Sequence, residues 1–242
     1  MFDLSRRAAV VTGATGNVGP AVVRGYLEQG AHVAVAVRDP AKGAALRERL
    51  GDLAGGADDP RLLAIAADPG DRAAMERLVD EVLRAWGRLD ILANLVGGYA
   101  TSEAAAGDLD AYLSSWRQKV ATAVSSAAAC LRPMRARGYG RVVSVASLAA
   151  LKGERGAAGY AMANAALVRW TESLAEEAKR EGITANTVLP RTIDTPENRA
   201  ALPKADPTRW ASIDEVAAAV VFLSTDEASG ITGAAIQVTA RT

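Results

Sequence analysis

Cysteine and histidine each occur once in the 242 residues, as Cys130 and His32. A single cysteine closes no internal disulfide and fits a reducing compartment. One cysteine and one histidine make no usual zinc site, so no metal is expected. Excess charge of one sign is also missing. The 28 Lys and Arg residues balance 28 Asp and Glu residues, which gives no basic surface for nucleic acid. No stretch approaches the roughly 20 consecutive apolar residues of a membrane span. Met1 to Arg7 carry no apolar signal-peptide core. The expectation is a cytoplasmic chain with neither a nucleic-acid nor a membrane partner, folding as one domain over residues 1–242.

Half of the residues are hydrophobic, and they fall into short apolar runs alternating with helical periodicity. Strands are expected near 8–12, 32–37, 61–66, 89–94, 141–146, 183–188 and 235–239. Helices are expected near 17–29, 40–50, 71–86, 109–137, 157–181 and 213–225. Gly30, Gly87, Gly138 and Gly182 each stand where a helix should end before the next strand. Gly51 to Asp59 reads as a surface loop. Such alternation argues an α/β fold, a parallel sheet with helices on both faces.

The most informative stretch is Val10-Val11-Thr12-Gly13-Ala14-Thr15-Gly16-Asn17-Val18-Gly19. An apolar β-branched run leads into three glycines at a spacing of three, and a helical pattern begins at once (Val18, Val22, Val23, Tyr26, Leu27). Glycine lets backbone approach a diphosphate, and a helix N-terminus offers free N–H groups and a positive dipole end. Strand, glycine turn and helix in that order, followed by a second strand at Val33–Val37, point to a dinucleotide site. At the end of that second strand a carboxylate would select the NAD ribose, whereas a base favours the 2′-phosphate of NADP. Arg38 stands there, with Asp39 next to it, so NADP(H) is expected over NAD(H). Asp68, after the third strand, is placed either to cap a helix or to meet the adenine amino group.

Over essentially its whole length the chain resembles the short-chain dehydrogenase/reductase family. The resemblance rests on the glycine loop, on Gly87-Arg88-Leu89-Asp90-Ile91-Leu92 leading to Asn94, and on Ser147 followed thirteen positions later by Tyr160. It rests also on Asn186-Thr187-Val188-Leu189-Pro190, Ile193-Asp194-Thr195-Pro196 and Ile231-Thr232-Gly233. It implies a Rossmann-type doubly wound sheet of about seven strands, a nicotinamide cofactor, a small-molecule substrate, and a homodimer or homotetramer built on helices 109–137 and 157–181. Ala123, Ala127 and Ala128 would allow close helix approach there. The cofactor residues it implies are Gly13, Thr15, Gly16, Asn17, Val18 and Gly19 in the loop, then Asn94, Gly97, Tyr160, Asn164, Pro190, Ile193 and Thr195. Two places depart from the family pattern around the nucleotide. Asn17 replaces a glycine, a substitution that asparagine's tolerance of left-handed backbone would accommodate. Asn94-Leu95-Val96-Gly97 replaces Asn-Asn-Ala-Gly, with Leu95 and Val96 bulky enough to crowd the adenine side.

The resemblance also assigns the chemistry. Ser147 would steady a substrate carbonyl, and the Tyr160 phenol would pass a proton as hydride moves. The family's Tyr-x-x-x-Lys would place a lysine one turn after the tyrosine, to bind the ribose and lower the phenol pKa. Here that position is Asn164, an amide without charge. A second family residue, an asparagine on the long helix, falls at Val120 or Lys119, so it too is absent. Lys119, Lys152 and Arg155 could each supply a cation, but each reads as a solvated surface charge. His32 lies before the second strand, far from Ser147, which argues against a Ser–His hydrolase. Arg191 follows Pro190 where the family has glycine, and Glu197 to Trp210 reads as an exposed lid anchored by Trp210. Two functions follow as expectations. One is an NADP(H)-dependent reductase of a carbonyl-type molecule, with Tyr160 as proton donor, Ser147 orienting substrate and Asn164 holding ribose. The alternative is a catalytically impaired or non-redox protein of the same fold, a nucleotide- or ligand-binding module or a cyclase or isomerase using the cleft.

Overall fold

A computed structural model describes residues 2–56 and 60–240. The first half runs β1 (Ala8–Thr12), α1 (Gly19–Glu28), β2 (His32–Val37), α2 (Pro40–Leu50), β3 (Leu62–Ala66), α3 (Arg72–Trp86) and β4 (Ile91–Asn94). It continues through α4 (Leu109–Trp116), α5 (Thr122–Arg137), β5 (Gly140–Val145), α6 (Ala158–Ala178), β6 (Ile183–Pro190), α7 (Pro196–Ala201), α8 (Ile213–Leu223) and β7 (Ala235–Val238). Alanine and valine make up nearly all of β1 and β2, and β1 is buried at every position. Burial on both faces is what a parallel sheet between two helical layers requires.

The seven strands lie in the order β3-β2-β1-β4-β5-β6-β7, every neighbouring pair parallel. One face is filled by Val22, Val23, Tyr26 and Leu27 of α1 with Val216 and Val220 of α8. The other is filled by Met75, Leu78 and Val82 of α3, Cys130 and Met134 of α5, and Leu174 of α6. The chain winds outward from β1 to β3 and then returns to β4 on the other side of β1. Strand direction of travel therefore reverses between β1 and β4, where Thr12 and Asn94 are register partners at the carboxyl ends. Crevices at such reversals are where open α/β sheets take ligands.

Three features differ from the sequence reading. The helix expected over 109–137 is two helices, α4 and α5, joined by a π-turn at Arg117–Ala121. At the end of that turn the Thr122 hydroxyl donates to the carbonyls of Gln118 (2.7 Å) and Lys119 (3.2 Å). The lid contains a helix, α7, with Thr195 as its N-cap and Pro196 in its first turn. The stretch read as a loop after α2 forms a 3-10 turn over Gly51–Ala54, with Ala54 buried; residues 57–59 of that loop lie outside the described residues.

Candidate active site

The glycine loop leaves β1 at the sheet reversal. Gly13 takes φ 70°, a left-handed value, and a Cβ there would sit 2.7 Å from the Leu95 carbonyl carbon. Only glycine lets the loop lie so close to the chain leaving β4. At Gly19 a Cβ would collide with the Ala14 backbone, so the third glycine packs the start of α1 onto the loop. Thr15, Gly16 and Asn17 are exposed at the rim, and Val18 stands at the N-cap position. That N-cap supplies no side-chain hydrogen bond to α1. First-turn N–H groups of a ten-residue helix are thus left without a side-chain acceptor, beside a glycine loop at the mouth of the crevice. That donor set fits a dinucleotide diphosphate.

Asn17 does not use the left-handed backbone that the sequence suggested. Ala240 is the only non-glycine residue with positive φ among those described. The loop makes its tight turn at Gly13, so position 17 needs no glycine. The Asn17 amide instead donates to Glu197 Oε2 of α7 at 2.9 Å, joining lid to loop. Glu197's own backbone amide and Asn17 hold its carboxyl below the usual carboxylate range, so it is charged at neutral pH. A carboxylate at the glycine loop opposes an incoming diphosphate. Glu197→Gln is expected to tighten dinucleotide binding about fivefold at low salt, the benefit shrinking as salt is raised; paired titrations of parent and variant at two ionic strengths measure it.

At the far end of the crevice, Arg38 is exposed and makes no hydrogen bond or ion pair among the described residues. Asp39, which could have neutralised it, is turned back to cap α2 by accepting from Ala41 N at 3.0 Å. Asp68 does not cap a helix: Asp71 caps α3, while Asp68 Oδ1 accepts from Gly70 N at 2.9 Å and remains exposed. Leu95 is half-buried and packs against the core cluster on the α1–α8 face of the sheet.

The central residues gather at the carboxyl ends of β4 and β5. Asn94 is buried and spans three strands, its Oδ1 accepting from Thr12 (3.5 Å) and its Nδ2 donating to Ser144 Oγ (3.3 Å). Ser147 follows β5, 9% exposed, and its Oγ accepts from Ala149 N at 3.2 Å. Tyr160 lies in the first turn of α6, with the Tyr99 ring edge-on at 5.2 Å. Burial raises the Tyr160 phenol pKa, and the neighbouring Ser147 and Asn164 side chains oppose that rise. One turn on, Asn164 is fully buried; its Nδ2 donates to the Tyr160 carbonyl at 2.8 Å, and its Oδ1 has no partner among the described residues. An unpartnered buried acceptor fits a hydroxyl donor such as a ribose supplies.

The sequence misjudged Lys119. Lys152 and Arg155 are exposed, as expected of surface charges, but Lys119 is only 8% exposed. Its Nζ donates to the Val145 carbonyl at 3.2 Å, and desolvation pulls its pKa down to about 8. The π-turn is responsible: an extra residue in the turn rotates positions 119 and 120 inward, so both are buried.

Below the site, Pro190 closes β6, Ile193 bridges to Ala211, and Thr195 is buried while capping α7 through Asn198 N (3.2 Å). Trp210 is buried and anchors a largely exposed segment. Arg191, Arg209 and Trp210 border an open recess of about 380 Å³.

Fold and crevice together define a Rossmann-type dinucleotide-binding protein. A family model described as short chain dehydrogenase matches residues 7–206. The chain is 34% identical to the cis-4-hydroxycyclohexanecarboxylate dehydrogenase of Sinomonas cyclohexanicum, covering 97% of this chain and 95% of that protein. A crystal structure of a short-chain dehydrogenase/reductase family oxidoreductase from Burkholderia thailandensis matches with a TM-score of 0.84 at 30% identity, over 96% of this chain and 90% of that one. A gluconate 5-dehydrogenase from Burkholderia cenocepacia, in complex with NADP and tartrate, matches with a TM-score of 0.86 at 25% identity, over 97% and 94% of the two chains. This chain belongs to the short-chain dehydrogenase/reductase family, and with it to the oxidoreductases that use a nicotinamide dinucleotide. Among the described residues, no helix is long and apolar enough to cross a membrane.

Proposed function

We propose that the protein is an NADP(H)-dependent reductase of a small carbonyl compound. The observation that carries this reading is the placement of the Tyr160 phenol, in the first turn of α6 and beside the Ser147 side chain at the carboxyl end of the sheet. The glycine loop and the start of α1 would hold the diphosphate; Asn94 and Gly97 would line the cleft at the end of β4; Pro190, Ile193 and Thr195 would close over the nicotinamide; Asn164 would offer its free oxygen to the ribose. When bound there, a nicotinamide would supply the hydride that the carbonyl carbon takes. Ser147 orients the carbonyl by donating to its oxygen, and Tyr160 delivers its proton to that oxygen as the C–O bond becomes an alcohol. The same phenol is a poor base for the reverse reaction at neutral pH, which favours reduction as the working direction. Relatives named as dehydrogenases of hydroxy acids and sugar acids suggest an oxygenated small molecule as substrate.

Arg38, unpaired among the described residues and free of Asp39, supports the preference for a 2′-phosphate. Nicotinamide fluorescence titrations test it. NADPH should bind in the micromolar range and more tightly than NADH. Arg38→Ala should weaken NADPH about tenfold or more while leaving NADH nearly unchanged, as expected for loss of one charge-assisted contact. Equal affinity of the parent for both nucleotides overturns the preference, and binding of neither overturns the redox reading.

The oligomer suggested by the family has support of a different kind from that read in the sequence. Ala123 and Ala127 are buried in the chain's own core, so they serve internal packing. Exposed Leu109, Leu113 and Trp116, spaced along one side of α4, with Val124 beyond them, are the apolar side chains a second copy would cover.

A further inference from the structure

Burying an ammonium group is expensive, and proteins do it where the charge is needed or well partnered. Lys119 is not well partnered: of three N–H donors, one reaches a carbonyl, that of Val145, two residues before Ser147. Its tip lies against the chain leaving β4, so close that a Cβ on Gly97 would collide with Nζ. Val145 ends β5, and Gly97 follows β4. The ammonium is thus delivered to the carboxyl ends of the two strands that frame the nicotinamide end of the crevice. The π-turn that carries it also packs on α6. Val120, the next residue, clusters with Ala146, beside Ser147, and with Leu167, one turn beyond Asn164. On α6 the complementary feature appears: Asn164 Oδ1, fully buried, with no donor. The site therefore holds a cation short of acceptors and an amide oxygen short of a donor, on two elements packed together.

We propose that Lys119 and Asn164 have exchanged places, so that the positive charge missing from position 164 enters from the opposite helix and binds the nicotinamide-ribose end of the cofactor. This rests on the redox reading above. The ribose hydroxyls are both donors and acceptors, so they can accept from Lys119 Nζ and donate to Asn164 Oδ1, satisfying both groups at once. A lysine at 164 would place a second ammonium on the element packed against the one that carries Lys119, and an asparagine at 119 alone would leave the site without charge. Each substitution makes sense only with the other.

The test is a set of purified variants, Lys119→Met, Lys119→Asn and the double variant Lys119→Asn/Asn164→Lys, compared in NADPH and NADH titrations, carbonyl reduction and thermal melts. Lys119→Met is expected to weaken both nucleotides tenfold or more and to lower kcat, while Tm stays level or rises because a desolvated charge has gone. Loss should be alike for the two nucleotides, since the 2′-phosphate lies at the other end. The double variant, with the charge moved back to position 164, is expected to regain most of the affinity that Lys119→Asn loses. Lys119→Met that binds both nucleotides like the parent, or that loses only Tm, makes Lys119 a structural tie to Val145 and overturns the proposal. A folded double variant no tighter than Lys119→Asn overturns the exchange. A parent that binds neither nucleotide overturns the redox reading itself, and this inference with it, so the two failures are told apart by the parent alone.

Discussion

Replacing Tyr160 by phenylalanine should lower kcat for carbonyl reduction by about 10²- to 10⁴-fold, the range typical of losing a positioned general acid. The ring stays, so its edge contact with Tyr99 and the fold around it stay, and dinucleotide affinity should change by no more than a few-fold. The pH profile gives the sign. Burial raises the phenol pKa above its ordinary value of 10, so the acid form is present across the whole neutral range. With nucleotide saturating, kcat for reduction should fall as pH passes through the raised phenol pKa. Alcohol oxidation, which needs the phenolate, should instead climb with pH over that alkaline range. A parent enzyme whose reduction rate is unaffected by Tyr160→Phe would place the proton donor elsewhere.

The second large effect is on stability. Asp90 is wholly buried at the amino ends of the strands, opposite the crevice. Its carboxylate accepts from Ala8 N (2.9 Å) and from two nitrogens of Arg88 (2.6 and 2.7 Å), with Arg7 at 3.9 Å. Its backbone is stitched on both sides too, its N–H to Ala8 O and its carbonyl to Arg141 N. Asp90→Ala removes the anion and strands the Arg88 guanidinium and the Ala8 amide at the joint of β1, β4 and β5, while Arg7 keeps its pairing with Asp226. Breaking such a buried pair costs about 3–5 kcal/mol, or on the order of 10 °C in Tm for a chain of this size. Nucleotide affinity measured well below the melt should survive, because the strand ends that carry the site are the other ends. Loss of affinity in a fully folded variant would show that the amino edge communicates with the crevice.

Where sequence sufficed and where it did not follows from the range of the forces involved. Alanine-valine strands and glycine-terminated helices announce themselves locally, and all seven strands lie where their apolar runs place them. The glycine loop was legible for the same reason: Gly13 and Gly19 are required by contacts within a few residues or with the adjoining strand. Lys119 was not legible. Whether position 119 faces water or the crevice depends on a π-turn, which regular helical periodicity does not announce. Helical periodicity carried across 109–137 therefore points to the wrong face for the residues in the middle. Glu197 failed to stand out because its contact, Asn17, lies 180 positions away. The short helix α7 could have been read, since Thr195-Pro196 is an N-cap followed by a first-turn proline.

The junction of β1 and β4 has a consequence for how the molecule assembles. Thr12 and Asn94, which meet there, are 82 residues apart in the chain, and two complete strand–helix units must be threaded between them. Closing so long a loop comes at an entropic disadvantage that only later contacts recover, so this pairing belongs to the slow, non-local part of folding. The crevice lies on that seam and exists only once the seam has shut. A dinucleotide that spans the crevice recognises the finished fold, and every increment of binding free energy becomes an increment of resistance to unfolding. In a cell the supply of cofactor would then govern how long each copy lasts as well as how fast it works.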